Sequence, residues 1–521
     1  MIQIVKASAG SGKTFNLARE YIRLLLQSRD PQAYRHILAV TFTNKATDEM
    51  KRRILRELFI LATEPEHSGY YADFVPALFL DAEALRQRAD SQLCSILHDY
   101  SAFAISTIDR FFQQALRAFS REIGQFASYQ VDLDKEGLVE ESVDRILDTL
   151  TEADKNLLEW LTDSVRTGLE KGDRFNLEPH LRAIAMSLRS EDHDAAVERY
   201  GIDEKAAFSK ENLKAVQRGC NAVAGDFTEK VEAAARTVLA VLEEHGIRPE
   251  DSNRGFLKGL YKYLDLDRRD TVKPPTASFL AKAGDSRQWF AKGKDPMRLE
   301  LEGSLEEPLG AFCALFGRPY QEYRTARIIR DQVYGLGIAG ELRQAFADIQ
   351  REKNVISIDD SNTLLRQIID GSDAPFVYEK LGVRYEDFLL DEFQDTSIIQ
   401  WENFRPLLHN SVAGGFDNLI VGDVKQSIYR WRGSDWNLLD SQLTREFRLG
   451  EEQVRVLKGN YRTLREIVQF NNGFFAYAAG ELDGLLGEDP AAPGSISTLY
   501  RDVAQEVCVR DAAPGSVDVS F

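Results

Sequence analysis

Apolar and polar positions along the first 125 residues alternate between two periods. Ile2-Gln3-Ile4-Val5-Lys6 is a short apolar run that predicts a strand, and it leads into a glycine-containing loop. From Lys13 to Gln27 the residues Leu17, Tyr21, Leu24 and Leu25 recur at helical spacing. Ile37-Leu38-Ala39-Val40 predicts a second buried strand, followed by a helix from Lys45 to Leu61. Phe103-Ala104-Ile105 predicts a third, followed by a helix from Arg110 to Phe119. Strands that alternate with helices in this way predict a parallel sheet covered on both faces.

From 126 to 350 the strand signals fade and amphipathic helical patterns replace them. Leu138–Leu150 is one such pattern, and Glu229–Glu244, stopped by Gly246, is another. Asp270–Pro296, with Pro274, Pro275 and Gly284, reads as a loop. Strand signals return at Phe388–Leu390, Leu419–Val421 and Val454–Leu457. Gly487–Gly494 reads as a linker, and Ser516–Phe521 alternates like a strand with nothing to close it, as in a chain cut short. The predicted class is α/β: a sheet lobe from 1–125 and 351–445, a helical insertion over 126–350, and an incomplete second lobe from 446–521.

At 521 residues the chain is too long for one core, and 43% hydrophobic against 28% charged residues is the balance of an ordinary folded protein. No apolar run reaches membrane-span length, and the N-terminus runs straight into the glycine loop without room for a signal peptide. Cys94, Cys220, Cys313 and Cys508 lie too far apart for a zinc site or a disulfide framework, so a reducing cytoplasm is the expected compartment. The net charge of −18 argues, by itself, against a nucleic-acid partner. A whole-molecule sum nevertheless hides local grooves, so the charge leaves the partner open.

Candidate chemistry sits in two places. Ala7-Ser8-Ala9-Gly10-Ser11-Gly12-Lys13-Thr14 lies between a predicted strand and a predicted helix. Glycines let the backbone curl its N–H groups toward phosphates, and the helix adds its positive dipole end. Lys13 would reach the β- and γ-phosphates, and the Thr14 hydroxyl would be a magnesium ligand. A chance glycine turn is the competing reading, which the flanking strand and helix disfavour. After Phe388-Leu389-Leu390 comes Asp391-Glu392. An acidic pair is usually solvated surface. At the end of a buried strand, Asp391 would instead hold magnesium and Glu392 would polarise an attacking water.

The sequence resembles the UvrD/Rep group of superfamily-one helicases, and within it the RecB- and AddA-like helicase–nuclease subunits. The loop context from Lys6 to Phe15 is similar to theirs. So are Thr41-Phe42-Thr43-Asn44-Lys45-Ala46 with Glu49-Met50-Lys51 (motif Ia), and Ser106-Thr107-Ile108-Asp109-Arg110, where Asp109 replaces a common histidine. Asp391-Glu392-Phe393-Gln394-Asp395 resembles motif II, Val421–Gly433 motif III, and Asn460-Tyr461-Arg462-Thr463 motif IV. The resemblance implies a RecA-like P-loop NTPase sheet, a 1B-like helical insertion and the start of a second RecA-like lobe. It implies ATP and Mg2+ as cofactors, with the run Ala7–Phe15, Tyr461 and Arg462 around the nucleotide. Gln426 would sense the γ-phosphate, Arg462 would meet it, and Tyr461 would stack on adenine. Phe42, Tyr429 and Trp431 would stack on bases, joined by Thr43, Asn44 and Thr107, with Arg432, Lys425 and Arg430 supplying positive charge. Core packing is the competing reading for Phe42, Tyr429 and Trp431.

Two parts of the family pattern are missing. No glutamine segment precedes the loop, leaving Gln3 as a weak substitute, and nothing after residue 463 resembles motifs V and VI or a nuclease site. The expectation is an N-terminal piece that binds ATP, hydrolyses it poorly and does not unwind DNA alone. The implied partners are single-stranded and duplex DNA and a helicase–nuclease partner subunit, with no membrane and a role in recombinational break repair. Rival readings are a non-motor ATP switch and a DNA- or partner-binding module.

Overall fold

Side chains on successive strand residues point to opposite faces, and this chain uses that period to fill two cores. In β1 (Ile2–Ala7), Ile2 and Ile4 join one core while Val5 and Ala7 join the other. In β2 (Ile37–Thr41), Leu38 and Val40 go with Ile4, and Ile37 and Ala39 go with Val5. The computed structural model describes residues 1–119, 130–132, 134–170, 176–266, 271–290, 295–369, 377, 381–487, 489, 494–509 and 515–520.

The remaining strands are β3 (Ile105–Thr107), β4 (Gln130–Asp132), β5 (Val355–Ser357), β6 (Asp387–Leu390), β7 (Asn418–Gly422), β8 (Val454–Leu457), β9 (Gly459–Asn460) and β10 (Glu506–Val507). Four of them join β1 and β2 in one six-stranded parallel sheet in the order β3-β2-β6-β7-β1-β8. Register places Val40 beside Leu390, Leu390 beside Ile420 and Ile420 beside Ile4, a continuous buried row across the sheet. Helices Lys13–Gln27 and Asn44–Thr63 cover one face through Leu17, Tyr21, Met50 and Ile54. Helices Ile108–Ala118 and Ile398–Ala413 cover the other through Phe111, Phe112, Trp401 and Phe404. This is the α/β RecA-like arrangement expected from the sequence, and its loops at the strand C-termini carry the candidate chemistry.

The chain divides into two compact units, one made of Met1–Lys135 and Arg351–Phe521 and the other of Glu136–Gln350. In the second, helix Lys210–Glu244 aligns Phe227, Val231, Val238 and Leu242 along one stripe, which packs with Leu305, Phe312 and Tyr323. Gly246 ends that helix at φ 65°, with the Ile247 N–H donating back to the Leu242 carbonyl. Among the described residues, no helix is long and apolar enough to cross a membrane.

Three sequence expectations change. Asp270–Pro296 is not a plain loop: Thr276 caps a helix at Ala277–Ala283, and Phe279 and Trp289 are buried in the helical core. Residues 267–270 and 291–294, which that expectation partly covers, lie outside the described residues. Val454–Leu457, expected to open a second lobe, is β8 and pairs with β1 in the first sheet. Residues 516–520 form no strand; instead β10 pairs with β9, and the Gly515 N–H donates to the Glu466 carboxylate at 2.8 Å. Most of the expected linker, 488 and 490–493, lies outside the described residues.

Ile420 is fully buried in the shared row. Ile420→Ala leaves a cavity there and should cost about 2–5 kcal/mol, read as a lower urea midpoint with an unchanged m-value. An unchanged midpoint would mean that the row is not the structural centre of the sheet.

Candidate functional site

β1 runs into the glycine loop because its last residue, Ala7, is still buried while Ala9 is exposed. The Ser11 N–H and hydroxyl both donate to the Ser8 carbonyl, at 3.2 and 2.6 Å, and curl the loop. Gly10 and Gly12 sit at φ 78° and 87°, a region costly for residues with a Cβ. Gly12 precedes helix Lys13–Gln27 without any side-chain cap, so its first N–H groups face the loop. Thr14 and Phe15 occupy the first turn, where Phe15 packs its ring 4.4 Å from Tyr70.

Across the loop, the Lys13 ammonium donates to the Glu392 carboxylate at 2.6 Å. Glu392 itself is held at φ 49°, ψ 43°, a left-handed conformation that costs a residue with a Cβ about 1–2 kcal/mol. That turn aims its carboxylate back toward the loop while Asp391 continues the strand end. Asp391 is buried, donates its N–H to the Val40 carbonyl at 2.9 Å and accepts the Glu392 N–H at 2.9 Å. Burial, and then the neighbouring Glu392 charge, push the Asp391 carboxyl up to about 7, against the pull of Lys13. Asp395 is pushed up to about 6, first by burial and then by Glu392, while its Oδ2 accepts the Gln394 Nε2–H at 3.3 Å. Three carboxyl groups thus crowd one ammonium. The site is short of positive charge, and the hard oxygens of Asp391 and Thr14 suit a magnesium ion that shares its shell with phosphates.

The Asn460–Thr463 turn abuts the same loop. The Tyr461 N–H donates to the Gly10 carbonyl at 2.9 Å, and the Asn460 Oδ1 accepts the N–H groups of Arg462 and Thr463. A Cβ on Gly10 would lie 2.8 Å from the Asn460 Oδ1 and 3.1 Å from the Arg462 Cβ, so only glycine fits there. Tyr461 (68% exposed) and Arg462 present their side chains to solvent beside the loop.

A second cluster lies on the loops after β2 and β7. The Phe42 ring is 4.7 Å from Tyr429, and Tyr429 is 6.2 Å from Trp431. Trp431 is 79% exposed, which removes the core-packing reading for it. Thr43 and Thr107 have a structural duty: each hydroxyl accepts an N–H at a helix start, from Ala46 and Arg110 respectively. Asn44 opens the helix after Thr43 and is exposed. The Arg432 side chain lies outside the described residues.

Lys425 corrects one expectation. Its ammonium lies 2.9 Å from Asp423 and 3.0 Å from Asp502, so its charge is already met within the protein. Burial pulls this group down, and the two carboxylates more than offset it, leaving it raised. Gln426 donates to the Asp423 carboxylate at 2.7 Å. Sequence reasoning also passed over Gln394, Asp395, Asp423 and Gln505. The first three lie inside the quoted motifs, whereas Gln505, which donates to the Ala9 carbonyl at 3.0 Å, carries no sequence signal.

Asp391 gives a pH signature. Between 3.8 and about 7 the folded chain retains a proton that the unfolded chain releases, so this group lowers stability progressively as pH rises through that window. Asp391→Asn should therefore gain thermal stability over the wild type, by a margin that widens from about pH 5 to about pH 8 without divalent cations. A margin independent of pH would contradict the assignment.

The chain matches the UvrD/REP helicase N-terminal domain over residues 2–291 and 299–447. It is 23% identical over 488 residues to the RecBCD enzyme subunit RecB of Chlamydia pneumoniae, covering 90% of this chain and 42% of that protein. It is 25% identical over 558 residues to an ATP-dependent helicase/nuclease subunit of Bacillus cytotoxicus, covering 99% and 41%. For the counterpart of that protein in Staphylococcus haemolyticus the identity is 24% over 516 residues, covering 94% and 39%. The chain therefore spans about two fifths of the length of these relatives. With the glycine loop, the acidic strand end and the 423–433 loop gathered in one unit inside the matched residues, the match has a structural counterpart, and the chain belongs to the UvrD/REP helicase N-terminal domain family.

Proposed function

We propose that this chain is the ATP-binding part of a DNA-translocating motor, a helicase that acts on single-stranded and duplex DNA in recombinational repair of double-strand breaks. One observation favours a motor over an ATP switch or a simple docking module. The single loop 423–433 carries the exposed Trp431 at one end and, at the other, Gln426 bound to Asp423 next to the acidic strand end.

In this reading the loop Ala7–Thr14 and Phe15 cradle ATP, and Tyr461 stacks on its base. Lys13, bonded here to Glu392, would move to the β- and γ-phosphates, releasing Glu392 to orient the attacking water. Thr14 and Asp391 would hold Mg2+, which supplies charge neutralisation at the phosphate oxygens when bound. Gln426 and Arg462 would meet the γ-phosphate. Turnover by this chain alone would be slow, since a further arginine contributes orders of magnitude to such transfers. Phe42, Tyr429 and Trp431 would stack on bases, and Thr43, Asn44, Thr107 and Arg432 would contact the strand. The relatives' names, RecB of the RecBCD enzyme and a helicase/nuclease subunit, support assembly with a helicase–nuclease partner subunit. The four unpaired cysteines support a reducing cytoplasm.

In the full-length protein, single-stranded DNA should stimulate ATP turnover, and Lys13→Ala should abolish it. Trp431→Ala should weaken single-strand binding by about 5- to 150-fold, the loss of roughly 1–3 kcal/mol of stacking. ATP turnover indifferent to DNA would leave the switch reading standing.

A further inference from the structure

The side chain of Gln394 is almost wholly buried, at 1% exposure, between the acidic strand end and the loop after β7. The Asp423 backbone N–H donates to its Oε1 at 2.9 Å, which fixes the amide orientation, because only the oxygen accepts from an N–H. The Nε2 therefore faces the acids, donating to the Glu392 Oε2 at 2.8 Å and to the Asp395 Oδ2 at 3.3 Å. The Gln394 backbone carbonyl also accepts the Ser427 hydroxyl at 3.1 Å. The fit admits nothing larger: a Cβ on Gly422 would lie 2.7 Å from the Gln394 Oε1.

Glu392 needs such a partner. Its backbone is in a left-handed conformation, and Lys13, its other described ligand, would be drawn away by phosphate. Once Lys13 leaves, the Gln394 amide is the group that still holds the carboxylate in place. Its other end rests on Asp423, which also binds Gln426 and Lys425. The two loops are joined again at the Asp435 N–H, which donates to the Thr396 carbonyl at 3.1 Å, and at the Ser397–Ser434 bridge.

We propose that Gln394 is a positioning residue that holds the Glu392 carboxylate for water attack and transmits movement of the DNA-facing loop 423–433 to it. This rests on the motor reading above. Buried as it is, Gln394 acts through Glu392 at one end and the Asp423 amide at the other.

The test uses Gln394→Glu and Gln394→Met in the full-length protein. The glutamate variant keeps an acceptor for the Asp423 N–H but replaces the donor to Glu392 with a like charge, whereas the methionine variant loses both. Expected for both is a fall in DNA-stimulated kcat of at least about 10-fold, equivalent to ~1.4 kcal/mol. The KM for ATP, the affinity for a fluorescent ATP analogue and the affinity for a single-stranded oligonucleotide should stay within about threefold, because uniform binding is untouched. A wild-type kcat in Gln394→Glu overturns the proposal. Loss of analogue binding in both variants also overturns it, since the residue would then be structural. Failure of the motor reading shows separately, as wild-type protein whose turnover does not respond to DNA.

Discussion

The constraint on which this site depends is an excess of negative charge at the end of β6. Asp391, Glu392 and Asp395 lie within five residues, two of them buried, and Lys13 answers only part of that charge. Desolvation makes each uncompensated carboxylate expensive, so a buried strand does not end this way for packing reasons. The arrangement persists because the sheet determines the backbone on both sides. β6 is flanked by β2 and β7, and the Asp391 N–H is fixed to the Val40 carbonyl. A left-handed Glu392 is tolerated on the same ground, as local strain carried by a rigid scaffold.

The parallel sheet explains why these groups meet. The glycine loop, the Phe42–Asn44 turn, the acidic pair and the 423–433 loop all follow C-terminal ends of strands in one sheet, so residues separated by hundreds of positions in sequence converge on one edge. The chain past β8 then returns to the loop, as Asn460 and Gln505 both reach the Ala9 carbonyl. The acidic strand end and the exposed aromatic cluster therefore share a common base, the 423–433 segment, without needing a long relay.

Much of this was legible in the sequence because it depends on local signals. Alternation in Ile2–Ala7 and Ile37–Thr41 announced the strands, and the glycines at 10 and 12 announced a loop that demands positive φ. What escaped depends on distant pairing. Lys425 read as free positive charge until Asp502, 77 positions away, proved to bind it. Val454–Leu457 read as a new lobe because nothing local reveals that β1 is its neighbour. The helix at Ala277–Ala283 was hidden by the flanking prolines, although its Thr276 cap was present in the sequence. Gln394 lay in plain view inside a motif. Its significance came only with the Asp423 N–H on one side and Glu392 on the other.

In the proposed motor, the glycine loop and the exposed aromatic cluster are parts of one device. Its most direct test is the affinity of the protein for a single-stranded oligonucleotide, read by fluorescence anisotropy with and without a saturating non-hydrolysable ATP analogue and Mg2+. Two coupled sites must show a difference, of about fivefold or more for a coupling energy of ~1 kcal/mol. Identical affinities in the two conditions would contradict the account.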